Sequence, residues 1–359
     1  MTRKPYNSEI QKMEHSKNKI FTNLFFLQRR ILRKGILLLF LFLSSITYSQ
    51  DFHLSQYDAP PLFLNPAMTG MFDGYYRIHA HYRTQWASLI KHPFTTAGLS
   101  FDMPVRKFGI GLQVFNYRAG QGDYNVFSAL LSVGYDVVFD KQNNHHLALG
   151  VQGGIVQKSV NLNKLTFGNQ YTTSNGGSFD TGIPNGEMFS NPNYLIHDIN
   201  AGFLYYYAKD NSRLNPFIGL SAFHLTQPNE TFFISSNKLP IRYYFHGGVK
   251  VNINEKVQLL PKCIYMRQIN DQEFTASLLL HYFMQDSDTY LIFGPTYRNK
   301  DAAIIEAGIK KGRYICRVSY DINTSSLQKI SNHRGGFEIS LTYIARKSKP
   351  NPLANCPRL

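Results

Sequence analysis

From Tyr75 onward the chain alternates. Tyr76, Ile78, Ala80 and Tyr82 are interleaved with Arg77, His79, His81 and Arg83; Tyr314, Cys316, Val318 and Tyr320 with Ile315, Arg317, Ser319 and Asp321; Phe337, Ile339, Leu341 and Tyr343 with Glu338, Ser340 and Thr342. Side chains along a β-strand point to opposite faces in turn, so each segment has one apolar and one polar face. About fourteen such segments are predicted, at 75–86, 93–103, 107–118, 123–138, 146–161, 195–208, 215–225, 241–252, 256–268, 273–284, 289–298, 302–310, 313–322 and 335–346. Many exceed the roughly 5–6 residues usual in soluble sheets and match the roughly 9–11 that a tilted membrane strand requires.

The connections between them alternate in length. Short turns fall at 103–106, 140–145, 210–213, 254–255, 286–288 and 311–312, whereas the other set includes the longest, 161–194, 226–240 and 323–334. Short turns on one rim and longer loops on the other mark a bacterial outer-membrane barrel, and an even strand count returns both termini to the short-turn, periplasmic side. Tyr and Phe near strand ends suit girdles at the two membrane interfaces. The predicted fold class is all-β, a transmembrane antiparallel β-barrel of about 14 strands preceded by a signal peptide. The alternative, a secreted sandwich or propeller, leaves the strand length and the charged polar faces without a cause.

Composition sharpens this picture at three points. With one Trp, the aromatic content of 14% comes almost wholly from 23 Tyr and 27 Phe. Three cysteines, odd and scattered, make neither a disulfide framework nor a zinc site. The net charge of +15 suggests nucleic acid, yet nine Lys and Arg against two Glu precede Gly35, and four cations with no acid follow Ile344. The body between is near balance and carries no basic stripe, so no nucleic-acid partner is expected. Arg29, Arg30, Arg33 and Lys34 precede an apolar run, Gly35 to Leu43, and then small residues from Ser44, the pattern of a secretory signal peptide. The run is about half of the roughly 20 residues a membrane helix needs, which disfavours the alternative of a membrane anchor. Either Met1 or Met13 fits as the start. The expected organisation is a signal peptide with a long basic n-region at 1–49, a periplasmic or lumen-plugging segment at 50–74, the barrel at 75–347 and a basic, Pro-rich periplasmic tail at 348–359.

Catalytic motifs are missing: there is no Gly-x-Ser-x-Gly, His-Glu-x-x-His or phosphate loop. His79 and His81 lack a nearby acid or thiol in sequence and read as lumen-facing, and His145-His146 reads as a solvated turn. Asp198, His246 and Glu338 meeting across the lumen would make a barrel enzyme, the weakest alternative; no catalytic residue, metal or cofactor is expected. Arg77, Arg83, Arg242, Lys250, Lys310, Arg313 and Arg317, against Asp198, Glu306, Asp321 and Glu338, are the predicted lumen charges. Because aqueous channels belong to barrels of roughly 16–18 strands, a fourteen-stranded lumen is expected to be filled by paired charges and the N-terminal segment. A small-solute, anion-selective porin is the alternative. Asn65 and Pro66 follow an apolar, Pro-rich stretch that resists strand pairing, and they are expected to pack in the barrel mouth or on a periplasmic partner. Lys347, Lys349, Cys356, Pro357 and Arg358 form the tail, read as a docking peptide or as disorder. Segment 161–194 is expected to be a cap or client contact rather than a mere shield.

A family resemblance rests on particular residues. Asp51-Phe52-His53-Leu54-Ser55-Gln56-Tyr57 leading to Leu64-Asn65-Pro66-Ala67-Met68-Thr69-Gly70 resembles the opening of the PorP/SprF family, outer-membrane proteins of the type IX secretion system of Bacteroidetes. Tyr82-Arg83-Thr84-Gln85-Trp86, Ser100-Phe101-Asp102-Met103-Pro104, Lys107-Phe108-Gly109-Ile110-Gly111, Lys164-Leu165-Thr166-Phe167-Gly168, Gly294-Pro295, Tyr320-Asp321-Ile322-Asn323, Gly336 to Leu341 and the closing Cys356-Pro357-Arg358-Leu359 continue it. The opening motif and Tyr-Arg-x-Gln-Trp are the specific parts; Met68 and Thr69 depart from the pattern. The resemblance implies a role in exporting, or holding at the cell surface, proteins with a type IX C-terminal signal, including adhesins used in gliding. The implied partners are other periplasmic and outer-membrane secretion components, the exported client and outer-membrane lipid.

Overall fold

The computed structural model describes residues 52–209, 212–233 and 236–345; the expected signal peptide and tail lie outside them. The strands are β1 (Tyr76–Gln85), β2 (Phe94–Val105), β3 (Phe108–Ala119), β4 (Tyr124–Val138), β5 (His145–Ser159), β6 (Tyr171–Thr172), β7 (Ser178–Phe179), β8 (Asn193–Tyr207), β9 (Leu214–Phe223), β10 (Arg242–Asn252), β11 (Val257–Gln268), β12 (Asp271–Met284), β13 (Thr289–Arg298), β14 (Ala302–Lys311), β15 (Tyr314–Asn323) and β16 (Arg334–Ala345). All but the small β6–β7 hairpin join one closed antiparallel barrel of fourteen strands. Closure runs from Tyr76 opposite Ala345 to Gln85 opposite Gly336, so β1 and β16 leave no free edge. The predicted barrel is borne out.

Alternation sets the two faces. Arg77, His79, His81 and Arg83 are all under 5% exposed, while Ile78 and Tyr82 between them are 38% and 44% exposed. Leu131, Val133, Val151, Phe293 and Ile305 likewise face outward, as the hydrocarbon of a bilayer requires. Outward rings gather at both ends of the strands. Tyr82, Tyr243, Tyr297, Tyr320 and Phe337 ring one rim, and Tyr76, Phe108, Tyr135, Tyr314 and Tyr343 the other, where Tyr314 and Tyr343 lie 5.1 Å apart and Phe108 and Tyr135 4.8 Å. The latter, here the near rim, carries short connections throughout and both ends of the barrel. The far rim carries the long connections. There two of them pack on each other: Ser190 N–H donates to Phe232 O at 2.9 Å, Phe189 stacks on Phe233 at 4.9 Å, and Lys158 meets Glu230 at 2.5 Å.

Residues 52–74 run inside the barrel. They start in the far half, where Phe52 stacks on Phe63 and Tyr117 at 5.1 and 5.3 Å, and reach the near rim at Gly74, beside the Ala345 carbonyl. Pro60 and Pro61 start a four-residue helix, Pro61–Leu64, with proline at the helix start, where no N–H is needed. Asn65 then breaks direction in an extended conformation, and its side-chain oxygen accepts from Ala67 N–H at 2.9 Å to cap the turn Pro66–Met68.

The wall receives this turn on a strip without side chains. Gly109, Gly134, Gly150 and Gly202 stand directly opposite one another across β3, β4, β5 and β8. A Cβ at Gly109 or Gly134 would overlap the Thr69 carbonyl, at Gly150 the Pro66–Ala67 peptide, and at Gly202 the Asn65 side chain. Glycine is required here by close approach of main chain to main chain. Accordingly, Gly202→Val should unseat the segment, destabilising the barrel by about 1–3 kcal/mol and opening residues 52–74 to protease. Gly153→Val, where a Cβ meets nothing nearer than 3.6 Å, should leave both the melting temperature and the proteolytic pattern unchanged.

Candidate functional site

Three layers of charge fix the inner segment to the wall. In the far layer Glu338 of β16 accepts from the Ser55 and Gln56 N–H groups at 2.8 and 2.7 Å, from Arg83 Nη1 at 2.7 Å, and lies 2.9 Å from His81 Nε2. Asp321 of β15 accepts from Ser55 Oγ at 2.7 Å, Arg83 Nη2 at 3.0 Å and Arg298 Nη2 at 2.7 Å. Arg83 and Glu338 are register partners across the β1–β16 closure, so this layer also staples the seam.

The middle layer is centred on Asp58. Its carboxylate takes two bonds from Arg317, at 2.8 and 3.2 Å, and an ion pair from Lys262, while Arg317 Nε donates to Glu306 at 2.7 Å. Without Asp58 the wall would present two cations to one anion here. In the near layer Asp102 accepts two bonds from Arg77, at 2.9 and 2.7 Å, and one from Gly70 N–H at 2.8 Å, and Arg77 also donates to Met68 O. Phe72 lies under the Arg77 guanidinium at 4.7 Å and packs on Leu260, Leu279, Ile292, Ile315 and Ile344. At the far end, burial together with Arg298 and Arg83 holds the His53 imidazole well below its ordinary value, so it stands neutral 3.2 Å from Glu273.

Several expected residues sit differently. Asn65 and Pro66, read as partner-docking, are buried in the lumen: Asn65 Nδ2 lies 2.9 Å from Phe203 O and 3.0 Å from His246 Nε2, and neither residue offers surface to a partner. Arg313, read as a lumen charge, is exposed on the near-rim turn, where its Nη1 reaches the Tyr343 hydroxyl at 3.4 Å; the strand ends at Lys311 and parity no longer applies. Arg77, Arg83, Arg242, Glu306, Arg317 and Glu338 are buried, Arg242 with its guanidinium 4.9 Å from the Tyr244 ring centre, and Lys250 is half-buried. His146 is not a solvated turn residue: β5 already includes it, its Nδ1 lies 2.9 Å from Asp136, and it stacks on Tyr206 at 4.5 Å. Asp198, His246 and Glu338 are not brought together, since Asp198 meets His224 at 2.9 Å, His246 meets Asn65, and Glu338 meets Arg83. Among the described residues no group of three metal-ligating side chains forms. Lys347, Lys349, Cys356, Pro357 and Arg358 lie outside the described residues. Sequence reasoning missed Asp58, Asp102, Lys262 and Arg298. For Asp102 the signal existed, because Ser100 and Asp102 alternate with Leu99, Phe101 and Met103.

The Asp58 carboxyl carries a pH dependence. Burial pushes it up, but Arg317 and Lys262 outweigh burial and hold it far below the usual carboxylate range. A carboxylate depressed by folding contributes stability that is complete above its unfolded value, about 4, and fades as pH falls below that. Thermal unfolding should show this group contributing fully from about pH 8 down to 5, with acid loss below about 4. Asp58→Asn should lower the melting temperature at neutral pH and shrink the acid-side decline. Asp58→Ala, leaving Arg317 and Lys262 under-compensated, should cost about 3–5 kcal/mol.

A search of the curated proteins found no match for this chain. Solved structures of similar outline include the P. putida toluene transporter TodX, 9% identical over 79% of this chain and 93% of that one, with a TM-score of 0.42. A Pseudomonas aeruginosa FadL homologue is 11% identical over 79% and 93%, with a TM-score of 0.42, and the KdgM porin is 8% identical over 74% and 98%, with a TM-score of 0.34. At these scores the likeness is one of outline. The model of the family described as type IX secretion system membrane protein PorP/SprF matches residues 46–343, most of the chain, and the protein belongs to that family, as an outer-membrane component of the type IX secretion system.

Proposed function

We propose that this barrel is a non-enzymatic, non-conducting docking element of the secretion machinery. It binds other secretion components at its near, periplasmic rim and supports export or surface attachment of client proteins at its far rim. The supporting observation is the filled lumen. Residues 52–74 occupy it from the far half to the near rim, tied by Glu338, Asp321, Asp58 and Asp102, and a lumen so occupied argues against passage of an extended polypeptide. Clients therefore pass elsewhere, and the contribution of this protein lies on its surfaces. With Asn65 and Pro66 buried, the docking role falls to the tail that contains Lys347, Lys349, Cys356, Pro357 and Arg358, and the client contact to the packed far-rim loops around Phe189, Phe232 and Phe233.

Two measurements test this reading. In planar bilayers the purified protein should give no sustained current; a steady anion-selective conductance would replace the docking reading with a porin. In cells, deleting Asn351 to Leu359 should reduce client protein at the surface several-fold while the amount of barrel in the outer membrane stays the same. Undiminished export from that deletion would remove the tail from the docking role.

A further inference from the structure

The near rim is unevenly charged. Six short connections lie along it, and in sequence three of them set an acid beside their cations: Asp140 with Lys141, Asp210 with Lys209 and Arg213, and Glu255 with Lys256. A fourth, between β12 and β13, has Asp286 and Asp288 and no cation. The remaining two carry cations alone, Arg106 and Lys107 after β2, and Lys311 and Arg313 where β14 gives way to β15. All four of these side chains are exposed. They flank the closure of the barrel, because β2, β1, β16 and β15 are consecutive in the sheet. The two turns thus stand four strand spacings apart, about 20 Å. Among the described residues Asp73 is the one acid between them, and the sequence continues from Ala345, opposite Tyr76, with the cations Arg346 and Lys347.

Inside this arc the outward face is a row of aromatic rings. Ring centres step from Phe101 to Tyr76 at 5.9 Å, to Tyr343 at 6.0 Å and to Tyr314 at 5.1 Å, which spans β2, β1, β16 and β15. Lys311 shares the parity of Ile305 and Ile309, both half-exposed on the lipid face, and pairs with Tyr314 in the ladder. Its side chain therefore leaves the wall on the lipid side. Arg313 turns the same way, with its Nη1 3.4 Å from the Tyr343 hydroxyl. Interfacial tyrosines sit at the depth of lipid headgroups. Two cations and a hydroxyl thus gather at the level of a lipid phosphate, beside an apolar track of Ile309, Cys316 and Leu341 for its chains. Cations at such a surface attract anionic lipid. A protein docking from below would meet the rim end-on, so the outward aim of Lys311 and Arg313 favours lipid.

We propose that this arc binds the headgroups of anionic phospholipid in the near-rim leaflet, with Lys311, Arg313 and Tyr343 as the phosphate site. The inference goes beyond the docking role and does not rest on it, since the site lies on the lipid face. For the test, the full-length protein carries Trp86→Phe with either Ile309→Trp, beside the arc, or Leu259→Trp, at matching depth below the charge-balanced β10–β11 turn. Each is placed in mixed phosphatidylcholine and phosphatidylglycerol bilayers in which one lipid or the other has brominated chains, and quenching of Trp fluorescence reports the lipid in contact. At Ile309→Trp, phosphatidylglycerol should be favoured about fivefold, and at Leu259→Trp not at all. Adding Lys311→Gln with Arg313→Gln should abolish the preference and leave the melting temperature in place. With the native Trp86 retained, mass spectrometry of detergent-extracted protein should show phosphatidylglycerol enriched over phosphatidylcholine, and the double Gln variant should lose that enrichment. Equal quenching by the two lipids at Ile309→Trp overturns the proposal, as does the same preference at Leu259→Trp or its survival in the double Gln variant. So does an arc indifferent to lipid charge whose Gln substitutions release a secretion partner, which assigns the surface to an acidic protein.

Discussion

The carboxylates that tie the inner segment to the wall are tolerable only because cationic side chains surround them, and this mutual dependence organises the interior. Charges withdrawn from water cost several kcal/mol each unless geometry and further hydrogen bonds compensate. Here the compensation is shared between wall and inner segment. Glu338 is satisfied only when the Ser55 and Gln56 amides arrive, and Arg317 with Lys262 only when Asp58 does. The wall without the segment would be an incomplete structure rather than an empty pipe. That is the physical reason for treating the lumen as closed.

Shape follows from the same dependence. Charged layers pull the main chain of the segment against the wall, and the wall answers with glycines where the approach is closest. Outside, nothing of this shows: lipid meets only the alternate residues, so the outer face is as regular as the inner face is irregular. The two faces of one strand answer to different solvents, and each residue in it takes its character from the face it joins.

This difference explains what the sequence disclosed. The outer face is governed by one simple rule, apolar at every second position, and the fourteen predicted segments end within two residues of the observed strands. Parity also identified most lumen charges, since Arg77, Arg83, Glu306, Arg317 and Glu338 alternate with outward side chains. It misled where a strand stops, as at Arg313. The inner segment has no period at all. Its course is set by tertiary partners such as Asp102, Glu338 and the glycine strip, so the sequence left Asn65 open between the barrel mouth and a periplasmic partner, and it is a buried cap. Residues such as Asp58 acquire meaning only from Arg317 and Lys262, which lie some two hundred or more positions away.

The course of the inner segment bears on how the barrel is made. Its start sits in the far half and its end feeds β1 at the near rim, so it descends inside the cylinder that the later strands enclose. Joining β1 to β16 is the step that brings Arg83 opposite Glu338, and Glu338 needs the Ser55 and Gln56 amides at that moment. A cylinder completed beforehand would have to strip water from its arginines with no counter-charge in place, then draw a peptide in past them. Assembly is therefore easier as wrapping than as threading: residues 52–74 lie down early, and the sheet rolls around them until its two margins meet.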